Sequence, residues 1–361
     1  MKIRIQSDEL NRMVKIIKPC LDTKNMSKPV IQVTHEESRI ILRASNGVFA
    51  AETYAPLLGG DGETFCVDGS TFSRVTGICR GFTEISTDER SCTVKGTGRT
   101  RIPILPMKVA EMRKIKGKYT AAKAEFLKGC YKRVAYAVSQ QQTRPVLTGI
   151  LTETNGRTIR MVSLDGFQMA VEEIAADSGE TFSAIIPGAF MEWVTAVSDA
   201  GETLKLTTDG KLIEASTDWM KLQCTLLAGE YVDYHRLIPK QFATTARIST
   251  PVLLDALKCG QMIGNKLRLV KVSLRDDTLT VSSNSEEADY HAEIPCEMQG
   301  NELDTAFNES YLINTVSIIG TDKVFMKFNA PTSPVIITDG EGKGVHMCLP
   351  VRILSEGQGN E

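Results

Sequence analysis

The stretch "MVSLDGFQMAVE", residues 161–172, is written three times in this chain in different letters. Asp165-Gly166 separates two short apolar runs. Moving back 119 residues reaches Asn46-Gly47, inside ILRASNGVFAAE (41–52). Moving forward 119 reaches Asn284-Ser285, inside LTVSSNSEEADYHAEI (279–294). In each copy, turn-forming residues sit between runs that read as β-strands, so Asp165 reads as an Asx-turn residue and not as a general base. A further strand pair precedes each turn: IQVTHEESRIILRA (31–44), GILTETNGRTIRMVS (149–163) and VKVSLRDDTLTVSS (270–283). Asn155-Gly156 in the middle copy is a strong two-residue hairpin signal.

Outward from these hairpins the layout continues to repeat. Each unit opens with a short strand and an amphipathic helix. The apolar stripes are Leu10, Met13, Val14 and Ile17; then Phe126, Leu127, Cys130 and Val134; then Leu253, Leu254 and Leu257. A second helix follows in STFSRVTGICRGF (70–82), GAFMEWVTAVSDAG (188–201) and ESYLINTVSIIG (309–320), placing Phe72, Phe190 and Tyr311 at matching points. Closing hairpins complete each unit. The expectation is an α+β chain of three repeated domains, each about two βαβββ units: residues 1–118, 119–244 and 245–353, with 354–361 a disordered tail. A period of this length is a domain repeat, since solenoids repeat every ~20–50 residues.

Composition removes several classes of function. The chain has 42 basic and 44 acidic residues, so it has no overall cationic surface for gripping nucleic acid, although a local basic face remains open. The start, MKIRIQSDEL, has no apolar core of a secretory signal, and no stretch approaches ~18 consecutive apolar residues. Nine cysteines form no CxxC pair and read as reduced thiols, so a cytoplasmic location is expected. The histidines His35, His235, His291 and His346 lie far apart, with no zinc spacing. DGEGKGV (339–345) lacks the GxxxxGK[ST] spacing of a phosphate loop and reads as a hairpin turn. No GxSxG, and no GxGxxG after a strand, occurs. The expectation is a binding protein with no catalytic residue, metal or cofactor.

Several local segments, in order, resemble the DNA polymerase III beta subunit family, the bacterial sliding clamps. They are ICRGF (78–82), SLDGFQMAV (163–171), GEYVDYHRLIP (229–239), FNESYL (307–312) and CLPVRI (348–353). GEYVDYHRLIP is the most specific, and the resemblance runs over residues 1–353. It implies a non-enzymatic processivity factor of DNA replication. Two chains would pair head-to-tail as a homodimer, a ring with helices inside and antiparallel sheets outside, sliding on duplex DNA without sequence preference. A ring held by topology needs little binding free energy, which suits a chain without basic excess.

The resemblance also implies sites. A hydrophobic cleft between the second and third domains would capture short peptides of the replicative DNA polymerase, the clamp loader and other proteins carrying a clamp-binding motif. Its wall would comprise Leu147, Leu164, Gly166, Phe167, Met169, Pro239, Leu267, Asn308, Tyr311, Val335, Leu349, Pro350, Val351 and Arg352. Phe167-Gln168 stands where the family has His-Arg. DNA-facing candidates are Lys15, Lys24, Lys28, Arg74, Arg80, Lys132, Arg133, Gln141 and Arg144, with Arg12, Lys18, Lys123, Lys128 and Lys258 on the same helix faces. Ring closure would use Arg99, Arg101, Ile102 and Ile104 at one end and Met262, Ile263, Glu286, Glu287 and Asp289 at the other. On this basis Met169→Glu is expected to abolish peptide binding with the ring intact, and Ile104→Asp to yield monomers. The tail 355–361 is a candidate competitor for the cleft. The alternative is a repeat-built interaction scaffold unrelated to DNA.

Overall fold

The computed structural model describes all residues except 1, 23–27, 37, 58–59, 62, 264–267, 342–343 and 353–361. Its described residues carry six α-helices: α1 (Ser7–Ile17), α2 (Gly69–Gly77), α3 (Ala124–Ala135), α4 (Gly188–Val197), α5 (Thr250–Met262) and α6 (Glu309–Ser317). Among the described residues no helix is long and apolar enough to cross a membrane. The helices fall two to a repeat, and the rest is antiparallel sheet, so the α+β repeat predicted from the turns is the architecture observed.

Local chemistry explains the helix boundaries. In α1 the predicted stripe Leu10, Met13, Val14 and Ile17 is buried, with Asp8 and Glu9 at the positive N-terminal end and Lys15 in the last turn. Asp68 caps α2 by accepting from the Thr71 amide, and Asn308 caps α6 by accepting from Ser310 and Tyr311. The stripe of α3 needs correction. Leu127, Cys130 and Val134 are buried, but Phe126 is 54% exposed, because one residue along a helix is a 100° turn away from that face. Counting from the caps corrects another match. Phe72, Met191 and Leu312 share the buried position, while Phe190 and Tyr311 both stand in the place of Thr71.

The three turns are side-chain-closed. Asn46 accepts from the Val48 and Phe49 amides, and Asp165 from Phe167 and Gln168 at 2.8 and 2.7 Å. Gly47 and Gly166 take the positive φ that follows (84° and 98°). In the third copy the closing residue is Ser285, accepting from Glu287 and Ala288, one residue beyond the predicted Asn284.

The chain divides into two compact units. The first holds Met1–Lys128, Thr154–Arg157 and Ala175–Ala228; the second holds Gly129–Glu153, Thr158–Ile174 and Gly229–Glu361. The middle repeat contributes to both, because its sheets are continuous with those of its neighbours. In the first unit Met220–Thr225 pairs antiparallel with Phe49–Pro56, in the register Met220↔Thr53 and Cys224↔Phe49. In the second, Gly344–Cys348 pairs with Gln168–Ala175, in the register Gly344↔Glu172 and Cys348↔Gln168. The two pairings are equivalent. Leu227 and Val351, each three residues past the cysteine, donate to Ile185 and Ala306 in the same way.

Candidate functional site

In the second unit, three backbone segments meet around the Asp165 turn. The Leu349 amide donates to the Phe167 carbonyl at 2.9 Å, which continues the Cys348↔Gln168 rung. Pro350 bridges to Phe307, and the Val351 amide donates to Ala306, so the C-terminal segment is laid along Leu303–Asn308. Asn308 then turns the chain into α6, and Tyr311 in its first turn stacks on Phe167 with ring centroids 5.5 Å apart. Phe167, Leu349, Pro350, Val351, Arg352, Asn308 and Tyr311 are thus brought together with accessible surface. Phe167 is 51% exposed, an aromatic shelf backed by Tyr311 and available to an apolar anchor. Burial raises the Tyr311 pKa, so its hydroxyl stays protonated.

Other members of the predicted wall lie beneath this surface. Leu147, Leu164, Met169 and Val335 are buried, and Gly166 shapes the turn. Met169 is completely buried opposite Met347, so it is core rather than a peptide contact. The proposed Met169→Glu test would put a charge into that core and destroy the strand pairing, not only the cleft. Pro239 is half-buried beyond the 3₁₀ turn Tyr234–Arg236, whose Tyr234 hydroxyl donates to Glu153 at 2.8 Å. Leu267 and the tail 355–361 lie outside the described residues.

The DNA-facing candidates divide into exposed and engaged groups. Lys15, Lys18, Lys28, Lys132, Gln141, Arg144 and Lys258 are exposed, as is Arg74, which donates to the Ser70 carbonyl. Arg80 is exposed and donates to the Gly77 and Cys79 carbonyls at the end of α2. Lys123 donates to Gly201, and Lys128 is half-buried. Arg12 is engaged. It lies 3.6 Å from the Trp219 ring and bonds Asp199 at 2.8 Å, with Glu202 and Glu9 at 3.8 Å. Arg133 is engaged too, its Nε 2.8 Å from the buried Glu172 carboxylate. Lys24 lies outside the described residues.

At the predicted ring ends, two strands each keep one edge without a strand partner among the described residues. Arg99–Pro103 closes the five-stranded sheet of the first unit as its last strand. In the second unit the long strand Asp289–Gly300 pairs on one side with Thr278–Asn284, through Asp289–Pro295. On its other side it pairs with Thr244–Ser249 only through Cys296–Gly300, which leaves one edge of Asp289–Pro295 without a strand among the described residues. Arg99, Arg101, Glu286, Glu287 and Asp289 are exposed, and Met262 is 83% exposed at the end of α5, with Ile263 half-buried beside it. Ile102 is buried instead, because it occupies the place of Cys224 and Cys348 on the core face. Ile104 is half-buried and bridged to Val67, so Ile104→Asp would perturb the first repeat's own fold as well as any edge.

What this geometry defines is a class: repeated α+β units joined edge to edge, with an apolar shelf beside one junction. Matches to known proteins agree with it. Profiles of the DNA polymerase III beta subunit match residues 122–233 (central domain) and 235–352 (C-terminal domain). The chain belongs to the DNA polymerase III beta subunit family, the sliding clamps. It is 22% identical to the beta sliding clamp of Bacillus subtilis over 98% of this chain and all of that one. It is 25% identical to that of Pseudomonas aeruginosa, over 61% of this chain and 62% of that clamp's length. Crystal structures of the P. aeruginosa and B. subtilis clamps each superpose with a TM-score of 0.92 at 20% identity, over 98% of this chain and all of theirs. One P. aeruginosa clamp structure, bound to griselimycin, superposes equally well (TM-score 0.92).

Sequence reasoning missed Glu172 and His346. The strand Gln168–Ala175 is buried through its first five residues, so a carboxylate there signalled a partnered buried charge, but nothing in the sequence said with what.

Proposed function

We propose that the protein is a processivity factor of DNA replication: a homodimeric ring that slides on duplex DNA and tethers a polymerase through the Phe167 shelf. It is non-enzymatic and works in the cytoplasm, with a clamp loader to open it. Its three domains follow the turn repeat, with boundaries near residues 118 and 244, where the strands Lys118–Lys123 and Thr244–Ser249 begin. Family membership supports processivity over a scaffold unrelated to DNA. The observation that carries the ring is the unused pair of edges. Each internal junction joins a strand like Arg99–Pro103 to a strand like Asp289–Pro295, so the two left over suit each other in a second copy. Carrying the internal registers across sets Ile102 opposite Ala288 and Arg101 opposite Asp289, a match of charge as well as of shape. Exposed Lys15, Lys28, Arg74, Lys132 and Arg144 suit weak phosphate contact inside such a ring.

The ring is tested by sedimentation and negative-stain electron microscopy. Six-lobed rings are expected for the wild type, monomers for Asp289→Arg, and recovery for Asp289→Arg with Arg101→Glu. A wild type that stays monomeric at micromolar concentration would remove the ring. For the shelf, labelled griselimycin serves as probe, since the structural relative bound to it shares this fold. Phe167→Ala is expected to weaken binding at least tenfold with an unchanged melting temperature. Equal affinity would move the cleft elsewhere.

A further inference from the structure

The junction in the second unit contains a chain of polar side chains, buried at Glu172 and His346, that the proposed function does not use. Arg133 Nε meets Glu172 Oε2 at 2.8 Å, and Glu172 Oε1 meets His346 Nε2 at 3.1 Å. His346 Nδ1 in turn meets the Tyr136 hydroxyl at 3.1 Å. The Glu172 and His346 side chains are 3% and 1% exposed. Burial pushes the Tyr136 pKa up, so the hydroxyl is a neutral partner for the imidazole. The fold makes room for this carboxylate. Gly344 lies directly opposite Glu172, and a β-carbon there would collide with it.

The equivalent junction in the first unit does without such a chain. Its register puts Met220 where Gly344 stands, Thr53 where Glu172 stands and Leu222 where His346 stands, all fully buried. Aligning Leu10, Met13 and Ile17 of α1 on Leu127, Cys130 and Val134 of α3 puts buried Ile16 at the place of Arg133. Three of these positions hold a hydrogen-bonded polar set in the second unit, and the fourth is the glycine that makes room for it. Since replacing a buried ion pair by apolar groups is often neutral or stabilising, stability alone is a poor account of it.

Arg133 differs from the rest of the set in reaching the surface. Its side chain is 39% exposed and lies along α3 past Gly129, where even an added β-carbon would find the guanidinium only at 3.9 Å. Exposed Lys132 is its neighbour on the helix that the ring reading turns toward DNA. Nε accounts for one of five guanidinium donors. Asp339 and Glu341 rim the same open pocket beside Arg133 and Glu172, so the local field is acidic.

We propose that Glu172 holds Arg133 in reserve as a masked DNA contact, and that a duplex phosphate competes with this carboxylate for the guanidinium, so that DNA occupancy loosens the Gln168–Glu172/Gly344–Cys348 pairing beside the partner shelf. The inference rests on the ring reading. A masked cation suits a sliding protein, because each permanent phosphate contact adds salt-dependent grip. Linkage makes the effect reciprocal: what tightens Arg133 on Glu172 weakens DNA, and the reverse.

The test measures affinity of the full-length protein for a fluorescein-labelled linear duplex across a salt series. Glu172→Gln is expected to steepen the salt slope by about 0.9 for each Arg133 that gains a phosphate. Arg133→Gln alone is expected to lower the wild-type slope by only a fraction of that gain, and to cancel the whole gain in the Glu172→Gln background. An unmoved slope in Glu172→Gln, or an equal loss from Arg133→Gln in both backgrounds, overturns the inference while leaving the ring standing. Wild-type protein that stays monomeric in sedimentation at micromolar concentration overturns the ring reading and this inference with it. Native-state hydrogen exchange on the wild type gives a second readout that needs no variant to fold. Amides of 168–172 and 344–348 are expected to exchange faster with duplex present, and unchanged rates overturn the coupling.

Discussion

The two internal junctions share a register and differ in chemistry. In the first unit Trp193 packs against Phe49 and Phe190, with centroids at 5.4 and 5.9 Å, and its Nε1 donates to the Ile16 carbonyl at 2.8 Å. Charge stays at the rim, where Arg12 lies on Trp219 and reaches Asp199. In the second unit a carboxylate is inside, Glu172, hydrogen-bonded to the buried His346. Backbone pairing therefore sets where repeats join, and side chains decide whether the joint is only packed or can also respond to charge.

The largest expected effect lies at the packed junction. Trp193→Ala removes a buried indole and its hydrogen bond, and should cost about 3–5 kcal/mol in chemical denaturation. A loss below about 1 kcal/mol would mean that strand pairing alone holds the joint. At the charged junction, Glu172→Ala leaves Arg133 and His346 without their carboxylate and should cost about 3 kcal/mol. Rebuilding it in the image of the first, as Glu172→Thr, His346→Leu, Gly344→Met and Arg133→Ile together, should instead hold or raise the melting temperature. Collapse of that variant would break the equivalence of the two joints. Tyr136→Phe deletes one hydroxyl beside His346 and should cost about 1 kcal/mol, read by denaturant midpoint. Arg12→Ala should cost under about 1 kcal/mol, and less at high salt, because Asp199, its nearest carboxylate, is exposed to solvent. A larger, salt-independent loss would place Arg12 in the core of the first junction.

The repeat was legible because turns are local. Asn46 and Asp165 close their own loops, and a positive-φ glycine follows each; Asn155-Gly156 behaves likewise, with Asn155 accepting from the Arg157 amide and Gly156 at 88°. Depth is less legible. Phe126 falls in an apolar stripe and is exposed; Met169 and Ile102 lie in segments that resemble surfaces and are buried. In each case the residue type suited both environments, and only the partner across the sheet or helix decided between them. Arg12 and Arg133 failed for a related reason. A cation at a solvent-facing helical position looks free until a distant carboxylate, 187 or 39 residues away, is folded onto it.

By itself, then, the sequence determined the α+β repeat, the turn chemistry, the helix stripes of the first repeat and the resemblance to sliding clamps, all of which depend on neighbours within a few residues. Tertiary structure alone decided that the middle repeat is shared between two compact units, that Arg99–Pro103 and Asp289–Pro295 are left as open edges, and that Glu172 finds Arg133 and His346. Those outcomes depend on which segments meet, from 39 residues apart for Arg133 and Glu172 to 174 for Glu172 and His346, and a backbone hydrogen bond carries no mark in the sequence of the strand it will choose.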